Sequence, residues 1–127
     1  MKRKLSLLLI LFLLLFGVVG CGPEKNEPSG TIRVIVVNYE KEEVFNNLID
    51  FYEDNTLLGL LQAHDEIQLD GEEQSYGFYI IKMCGISAKD YSETYWKIEV
   101  NGNYSLVGIA EIPLKDKDEI KFLLINW

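Results

Sequence analysis

Histidine and cysteine are scarce in this chain: His64 is its single histidine, and Cys21 and Cys84 are its two cysteines, among 127 residues. Side-chain catalysis needs a base, a nucleophile or a metal held by two or three partners, and no hydrolase, kinase or zinc-type motif supplies that set. An enzyme is therefore not expected, and neither is a bound cofactor. Basic residues are also few, 12 Lys and Arg against 20 Asp and Glu, for a net charge of −8. Phosphate backbones repel such a chain and no basic patch offsets that, so no nucleic-acid partner is expected. Internal repeats and low-complexity tracts are absent beyond the first stretch of sequence.

That first stretch carries most of what is decisive. Lys2, Arg3 and Lys4 form a positive head, and Leu5 to Val19 is an apolar run broken only by Ser6. The run is too short for a stable span and has the flanks of a signal peptide. It ends in Val18-Val19-Gly20-Cys21, which resembles a lipobox: an apolar residue, a tolerant position, a small residue, then the cysteine that is acylated. Residues 1–20 are thus expected to be a cleaved lipoprotein signal peptide. Cys21 becomes the lipidated N-terminus, and acyl chains of the palmitate kind hold the protein to the cell membrane on its extracytoplasmic face. Two or three such chains anchor durably where one does not. Cleavage removes three of the 12 basic residues and none of the acidic ones, leaving 107 residues of net charge −11. That acidity keeps the domain soluble and away from anionic lipid. With Cys21 acylated, Cys84 stands alone, so no internal disulfide is expected. It follows Met83 in an apolar run, the setting of a buried, inert thiol.

Residues 21–30 hold Pro23, Pro28, Ser29 and charges but nothing large and apolar, the composition of a flexible tether. Extended, its nine residues after the cysteine reach about 30 Å. Residues 31–127 then suffice for one domain with one modest core. Thr31–Asn38 is β-branched and apolar on both faces, the pattern of an interior strand. Tyr39–Val44 suits a turn, and Phe45–Tyr52 returns as a second strand of a hairpin. After the capping cluster Asp54-Asn55-Thr56, Leu57, Leu58, Leu60 and Leu61 mark one face of a short helix ending near His64. Gly59 inside it reads equally as close packing on a sheet or as a tolerated defect costing up to about 1 kcal/mol. Asp65–Ser75 is acidic and reads as an exposed connection, Tyr76–Cys84 as an aromatic strand, and Ile86–Thr94 as irregular. Trp96, Ile98 and Val100 alternate with polar partners into Asn101-Gly102, the dipeptide of a tight type I′ turn. A return strand over Tyr104–Val107 is implied. After Pro113 and the charged turn Lys115–Asp118, Glu119–Asn126 is the last strand. About five strands and one helix packed across them make an α+β domain with a mostly antiparallel or mixed sheet.

From Thr56 to Ile125 the order of features resembles the transcobalamin-like C-terminal domain family, found largely in bacterial surface proteins and lipoproteins. The matching pieces are TLLGLLQAH (Thr56–His64), FYIIKMCG (Phe78–Gly85), YWKIEVNG (Tyr95–Gly102), VGIAEIPLKD (Val107–Asp116) and DEIKF (Asp118–Phe122). The resemblance implies a β-grasp-like fold of the soluble-ligand-binding kind, with a corrinoid as one ligand to expect. Two positions depart from the pattern. Lys117 stands where the family usually has a glycine before the aspartate, which points to a different turn, and Gly59 stands where a larger residue is common.

A flat ligand or a partner protein needs stacking surface, and Trp96 with Tyr76, Tyr79, Tyr91, Tyr95 and Tyr104 gathers near the third and fourth strands. Trp96 shares a face with Ile98 and Val100 and reads as core, while Tyr91, Tyr95 and Tyr104 suit an exposed contact. The candidate ligand-binding residues are accordingly Tyr91, Tyr95, Trp96, Asn101, Tyr104 and Gly108, on loops 86–94 and 103–110 and beside them. His64 at the helix end reads as a cationic cap favoured by the macrodipole. Asp65, Glu66, Asp70, Glu72 and Glu73 lie close in sequence, but their spacing is not that of an EF-hand, and a solvated acidic loop explains them better than a divalent-metal site. The expected function is a membrane-tethered, non-catalytic small-ligand-binding domain. The alternatives are a module docking another envelope protein and, more distantly, a metal-binding domain.

Overall fold

The computed structural model describes residues 27–127. The expected signal peptide, the lipobox and Cys21 lie outside the described residues.

β1 (Gly30–Val37) is apolar on both faces because it lies inside a sheet. It pairs antiparallel with β2 (Glu43–Phe51) on one side and parallel with β8 (Glu119–Asn126) on the other. β8 pairs in turn with β6 (Thr94–Val100), whose far end carries the two-residue β7 (Asn103–Tyr104). The resulting five-stranded mixed sheet has the order β2-β1-β8-β6-β7. Parallel neighbours need a long crossover, and here the crossover from β1 to β8 contains every other element. α1 (Leu57–Ala63) comes first, then a second sheet of order β3-β4-β5, made of Asp70–Gln74, Gly77–Met83 and Ile86–Ser87. Short 3-10 turns follow at Ala88–Asp90 and Ile109–Glu111. The α+β class and the five-stranded sheet agree with the sequence; the second sheet does not appear in that reading.

One core joins these layers. Ile32, Val34 and Val36 of β1, Ile120, Phe122 and Leu124 of β8, and Trp96 and Ile98 of β6 face it from the large sheet. Leu57 and Leu61 of α1 and Ile80 and Met83 of β4 close it from the other side. α1 starts where Thr56 Oγ1 accepts the Gly59 N–H at 3.1 Å, a side-chain cap on an otherwise orphan donor. Gly59 is exposed rather than pressed on the sheet, and a Cβ there would stand 3.0 Å from that capping oxygen. It clears the cap, which neither sequence reading anticipates.

Several expectations are corrected. The acidic connection Asp65–Ser75 contains β3, which gains its order from backbone pairing to β4 across the Ser75-Tyr76 turn. Its side chains at Glu72, Glu73 and Gln74 are all exposed, so no hydrophobic alternation marks it. Gly71 lies so close to β4 that a Cβ would strike the Tyr79 carbonyl. The return strand expected over Tyr104–Val107 is only Asn103–Tyr104, prolonged by the Ser105 N–H donating to the Ile98 carbonyl at 2.9 Å. Ile86–Thr94 is less irregular than expected, holding β5 and a 3-10 turn capped by Ser87. His64 is the C-cap residue of α1, and its side chain turns to the following loop: its Nδ1 accepts the Glu66 N–H at 3.2 Å and its ring meets Phe45 edge-on at 5.2 Å.

Lys117, at φ +71°, occupies the left-handed region that a glycine takes without steric cost. Its N–H donates to the Thr31 carbonyl at 2.8 Å, tying the turn to β1. Next to it, Asn101 (φ +51°) opens the Asn-Gly turn, accepts the Glu119 N–H at 2.8 Å and donates to the Asp118 carboxylate at 2.9 Å. A lysine in this backbone region carries a steric cost that glycine lacks. Lys117→Gly should raise stability by about 1 kcal/mol, whereas Asn101→Ala should lower it by about 1–3 kcal/mol through lost hydrogen bonds. Thermal or urea unfolding of the two variants checks both signs, and a destabilised Lys117→Gly contradicts this account of the turn.

Candidate functional site

The two sheets share no strand, and where they meet each leaves one strand edge open. β4 pairs with β3 along its length but with β5 only at Lys82 and Met83. β6 pairs with β8 along its length but with β7 only at Glu99 and Val100. The open stretches face each other and are bridged by Trp96 Nε1, which donates to the Ile81 carbonyl at 3.0 Å. Beside that bridge runs a groove of about 300 Å³. Tyr76, Phe78 and Tyr79 come to it from the β3–β4 turn and β4, Tyr95 and Trp96 from β6, and Tyr104 to Ile109 from the segment after β7.

These residues reach the groove for local reasons. The Ser75-Tyr76 turn brings Tyr76 to the groove, and the two-residue β7 releases the chain early, so that Ser105–Gly108 lines the opening. Ser105 Oγ donates to the Val107 carbonyl at 2.8 Å and holds that segment. The rim is apolar and open to solvent: Leu106 is 92% exposed and Tyr76 74%. Trp96 is the reverse, 5% exposed, and supplies the floor.

Among the described residues no charged side chain lines the groove, although the chain carries a net charge of −8. Lys97 stands beside the groove, its Nζ 5.6 Å from the Tyr104 ring centroid and 3.1 Å from the Glu99 carboxylate. Lost hydration, and then the neighbouring Tyr104, push the Tyr95 phenol above its ordinary value, with Lys97 drawing it partly back. The site therefore offers aromatic faces and phenol hydroxyls, surface for stacking and hydrogen bonding.

Four of the sequence-chosen residues, Tyr95, Trp96, Tyr104 and Gly108, meet at this groove. Tyr91 stays apart, its ring 4.6 Å from that of Tyr39. Asn101 is spent on the turn described above. Gly108 has open space around a built Cβ, so its lack of a side chain is not required there. Cys21 lies outside the described residues. Tyr76 and Tyr79 belong to the site though the sequence marks only their clustering, Leu106 and Val107 lie in the expected loop 103–110 without being singled out, and Phe78 is not anticipated. An aromatic strand followed by a hairpin with a truncated return was the available signal. Larger concavities exist, about 510 Å³ beside Tyr52–Asn55 and about 610 Å³ on the outer sheet face. The groove is the one where aromatic residues from separate elements converge.

Among the described residues no three His, Cys, Asp or Glu side chains come together to hold a metal ion. The acidic segment is dispersed: Asp70 accepts its neighbour Gly71's N–H at 2.9 Å, and Glu72 lies 3.9 Å from Lys89.

Comparison with known proteins fits this geometry. A family model described as a domain of unknown function, DUF4430, matches residues 54–126. The chain belongs to this family. The DUF4430 match begins at the cap of α1 and runs to the end of β8, so it takes in the whole groove. No curated protein matches. Among solved structures, a Ruminococcus gnavus protein described as a candidate metal binder is 24% identical, with a TM-score of 0.64, over 78% of this chain and 99% of that one. Haptocorrin, solved in complex with Cbi, is 17% identical with a TM-score of 0.61, over 84% of this chain and 27% of haptocorrin. The chain thus spans about a quarter of haptocorrin. The resemblance to transcobalamin-like domains read from the sequence is borne out at the level of family and fold.

Cys84 lies outside the groove, in the two-residue turn between β4 and β5, at φ +52° before Gly85 at +77°. Burial, and then the carboxylate of Glu66, push its thiol from 9.0 up to about 11. The folded state thus keeps a proton that the unfolded chain loses above pH 9. Unfolding then binds fewer protons than the native state, so stability falls as pH rises from about 9 to 11. In Cys84→Ser this part of the fall should vanish, and the native Cys84 thiol should resist alkylation at pH 8 until the protein is unfolded; rapid native labelling contradicts it.

Proposed function

We propose that this protein is a membrane-anchored extracytoplasmic lipoprotein whose β-grasp-like domain binds a small, flat, soluble ligand of the corrinoid kind in the groove between its two sheets, without catalysis. The observation that carries the reading is the convergence of Tyr76, Tyr79, Tyr95, Trp96 and Tyr104 on one uncharged groove. Aromatic faces give large contact area with little side-chain entropy to lose, and phenols add directional hydrogen bonds. At about 300 Å³ the groove is at the small end for ligand sites. It suits one face or edge of a macrocycle rather than enclosure. The shared fold with haptocorrin, a structure that contains Cbi, supports a corrinoid as the first ligand to try.

A second reading rests on the rim. Leu106, Tyr76 and Val107 are large, apolar and exposed, the kind of patch that docks another envelope protein. Thermal unfolding of the full chain with cobinamide, haem, calcium and zinc separates the two. Cobinamide at 100 times its dissociation constant adds about 2.7 kcal/mol, roughly 10–20 °C in midpoint for a domain of this size. Tyr104→Ala should erase most of that shift. Absence of any shift overturns ligand binding and leaves the docking reading.

Anchoring has its own test. In the native membrane fraction, intact-mass measurement should find a polypeptide beginning at Cys21 and carrying acyl chains. A chain that begins at Met1 with an unmodified thiol at Cys21 overturns the lipoprotein assignment.

A further inference from the structure

The face of the large sheet turned away from the core carries a second concavity. Residues of β1 and β8 that alternate with the buried set point there: Val37, Lys121, Leu123 and Ile125. Because β1 and β8 run parallel, their carboxyl ends finish together, with Val37 in register with Leu123. The β1–β2 turn then brings Tyr39 and Lys41 to the same place, enclosing about 610 Å³.

The walls are fixed. The Tyr39 hydroxyl donates to Asn126 Oδ1 at 3.0 Å while its ring rests against Tyr91. Lys41 is held in a left-handed turn (φ +68°), its N–H donating to the Asn38 carbonyl at 3.0 Å. Asn38 Oδ1 accepts the Glu42 N–H at 2.8 Å. Neither Lys41 nor Lys121 makes an ion pair among the described residues. One carboxylate, Glu43, also lines the cavity, and it accepts the Asn46 side-chain N–H at 3.0 Å. Two lysines with no ion pair among the described residues thus line an aliphatic floor together with the single carboxylate of Glu43, in a chain of net charge −8.

We infer that this cavity binds a small aliphatic monocarboxylate, its chain on Val37, Leu123 and Ile125 and its head at Lys41 and Lys121. Charge complementarity selects the head, since a cationic amphiphile meets two ammonium groups and a neutral one gains nothing from them. The floor selects the chain, each added methylene tightening binding about fourfold until the floor is covered. The site is separate from the groove and does not depend on the function proposed for it.

The test uses the full chain in phosphatidylcholine nanodiscs, labelled with a diazirine-bearing octanoate and mapped by mass spectrometry. Crosslinks should fall within residues 37–43 and 121–126. Octanoate should compete, octanol about tenfold more weakly for want of the charged head and hexanoate about sixteenfold more weakly for want of two methylenes, with octyltrimethylammonium weaker than either. Lys41→Gln with Lys121→Gln, both surface changes, should weaken competition by octanoate about tenfold and leave the thermal midpoint in place. Equal competition by octanol or octyltrimethylammonium, crosslinks confined to other segments, or indifference to the lysine changes each overturn the proposal.

Discussion

The structure depends on the parallel pairing of its first and last strands. Val34 and Val36 of β1 lie in register with Ile120 and Phe122 of β8, and all four are at most 1% exposed. Each such side chain removed from water contributes roughly 1.5–3 kcal/mol, but only once the ends of the domain have met. The junction is reinforced at its entrance, where Lys117 donates to Thr31 and Arg33 N–H donates to the Asp118 carbonyl at 2.9 Å. Asn101 joins the same junction from β6 through Asp118 and Glu119. The left-handed turns at Lys117 and Asn101 are thus held by a pairing that closes nearly the whole described chain, a contact of high sequence separation and high closure entropy.

That closure also determines where a binding surface can form. α1 and the second sheet are crossover material, and they must lie on the core face of the large sheet to bury Leu57, Leu61, Ile80 and Met83. The second sheet covers its share of the core without adding a strand to the first. A seam between two incompletely paired edges is the result, and Trp96 crosses it with one hydrogen bond. The groove is therefore a by-product of topology that aromatic residues have filled, and its rigidity comes from the same core that stabilises the domain.

Much of the fold was legible because period and burial agree. β6 and β8 alternate, β1 is apolar on both faces as an interior strand is, and α1 announces itself through Thr56 and the Leu57/Leu61 spacing. β3 was hidden because Glu72, Glu73 and Gln74 face solvent, so its strand state resides in the backbone ladder with β4 and not in its side chains. The site was half legible. Tyr95 and Tyr104 could be chosen from their place beside an Asn-Gly hairpin, yet which aromatics converge depends on how two sheets pack, and no local pattern encodes that. Tyr91 and Asn101 show the limit in opposite ways. A loop tyrosine can stack on another tyrosine, and a turn asparagine can be consumed by the turn's own hydrogen bonds.

An uncharged groove in so acidic a domain bears on what recognition can rely on. Long-range attraction from the net charge of −8 acts on any cation nearby and carries little information about shape. Selection must then come from the aromatic lining, where offset stacking and phenol hydrogen bonds reward planarity and correct edges. The rim argues further. Leu106 keeps almost all of its surface in contact with water, at a cost that nothing within the described residues offsets. A flat ligand seated on Trp96 and Tyr95 meets that same rim at its edge, so one binding event both fills the groove and covers the most exposed apolar side chain of the domain. On the proposed reading, small-ligand binding and partner docking would compete for one surface, and a ligand in the seam would remove much of what a partner protein has to hold.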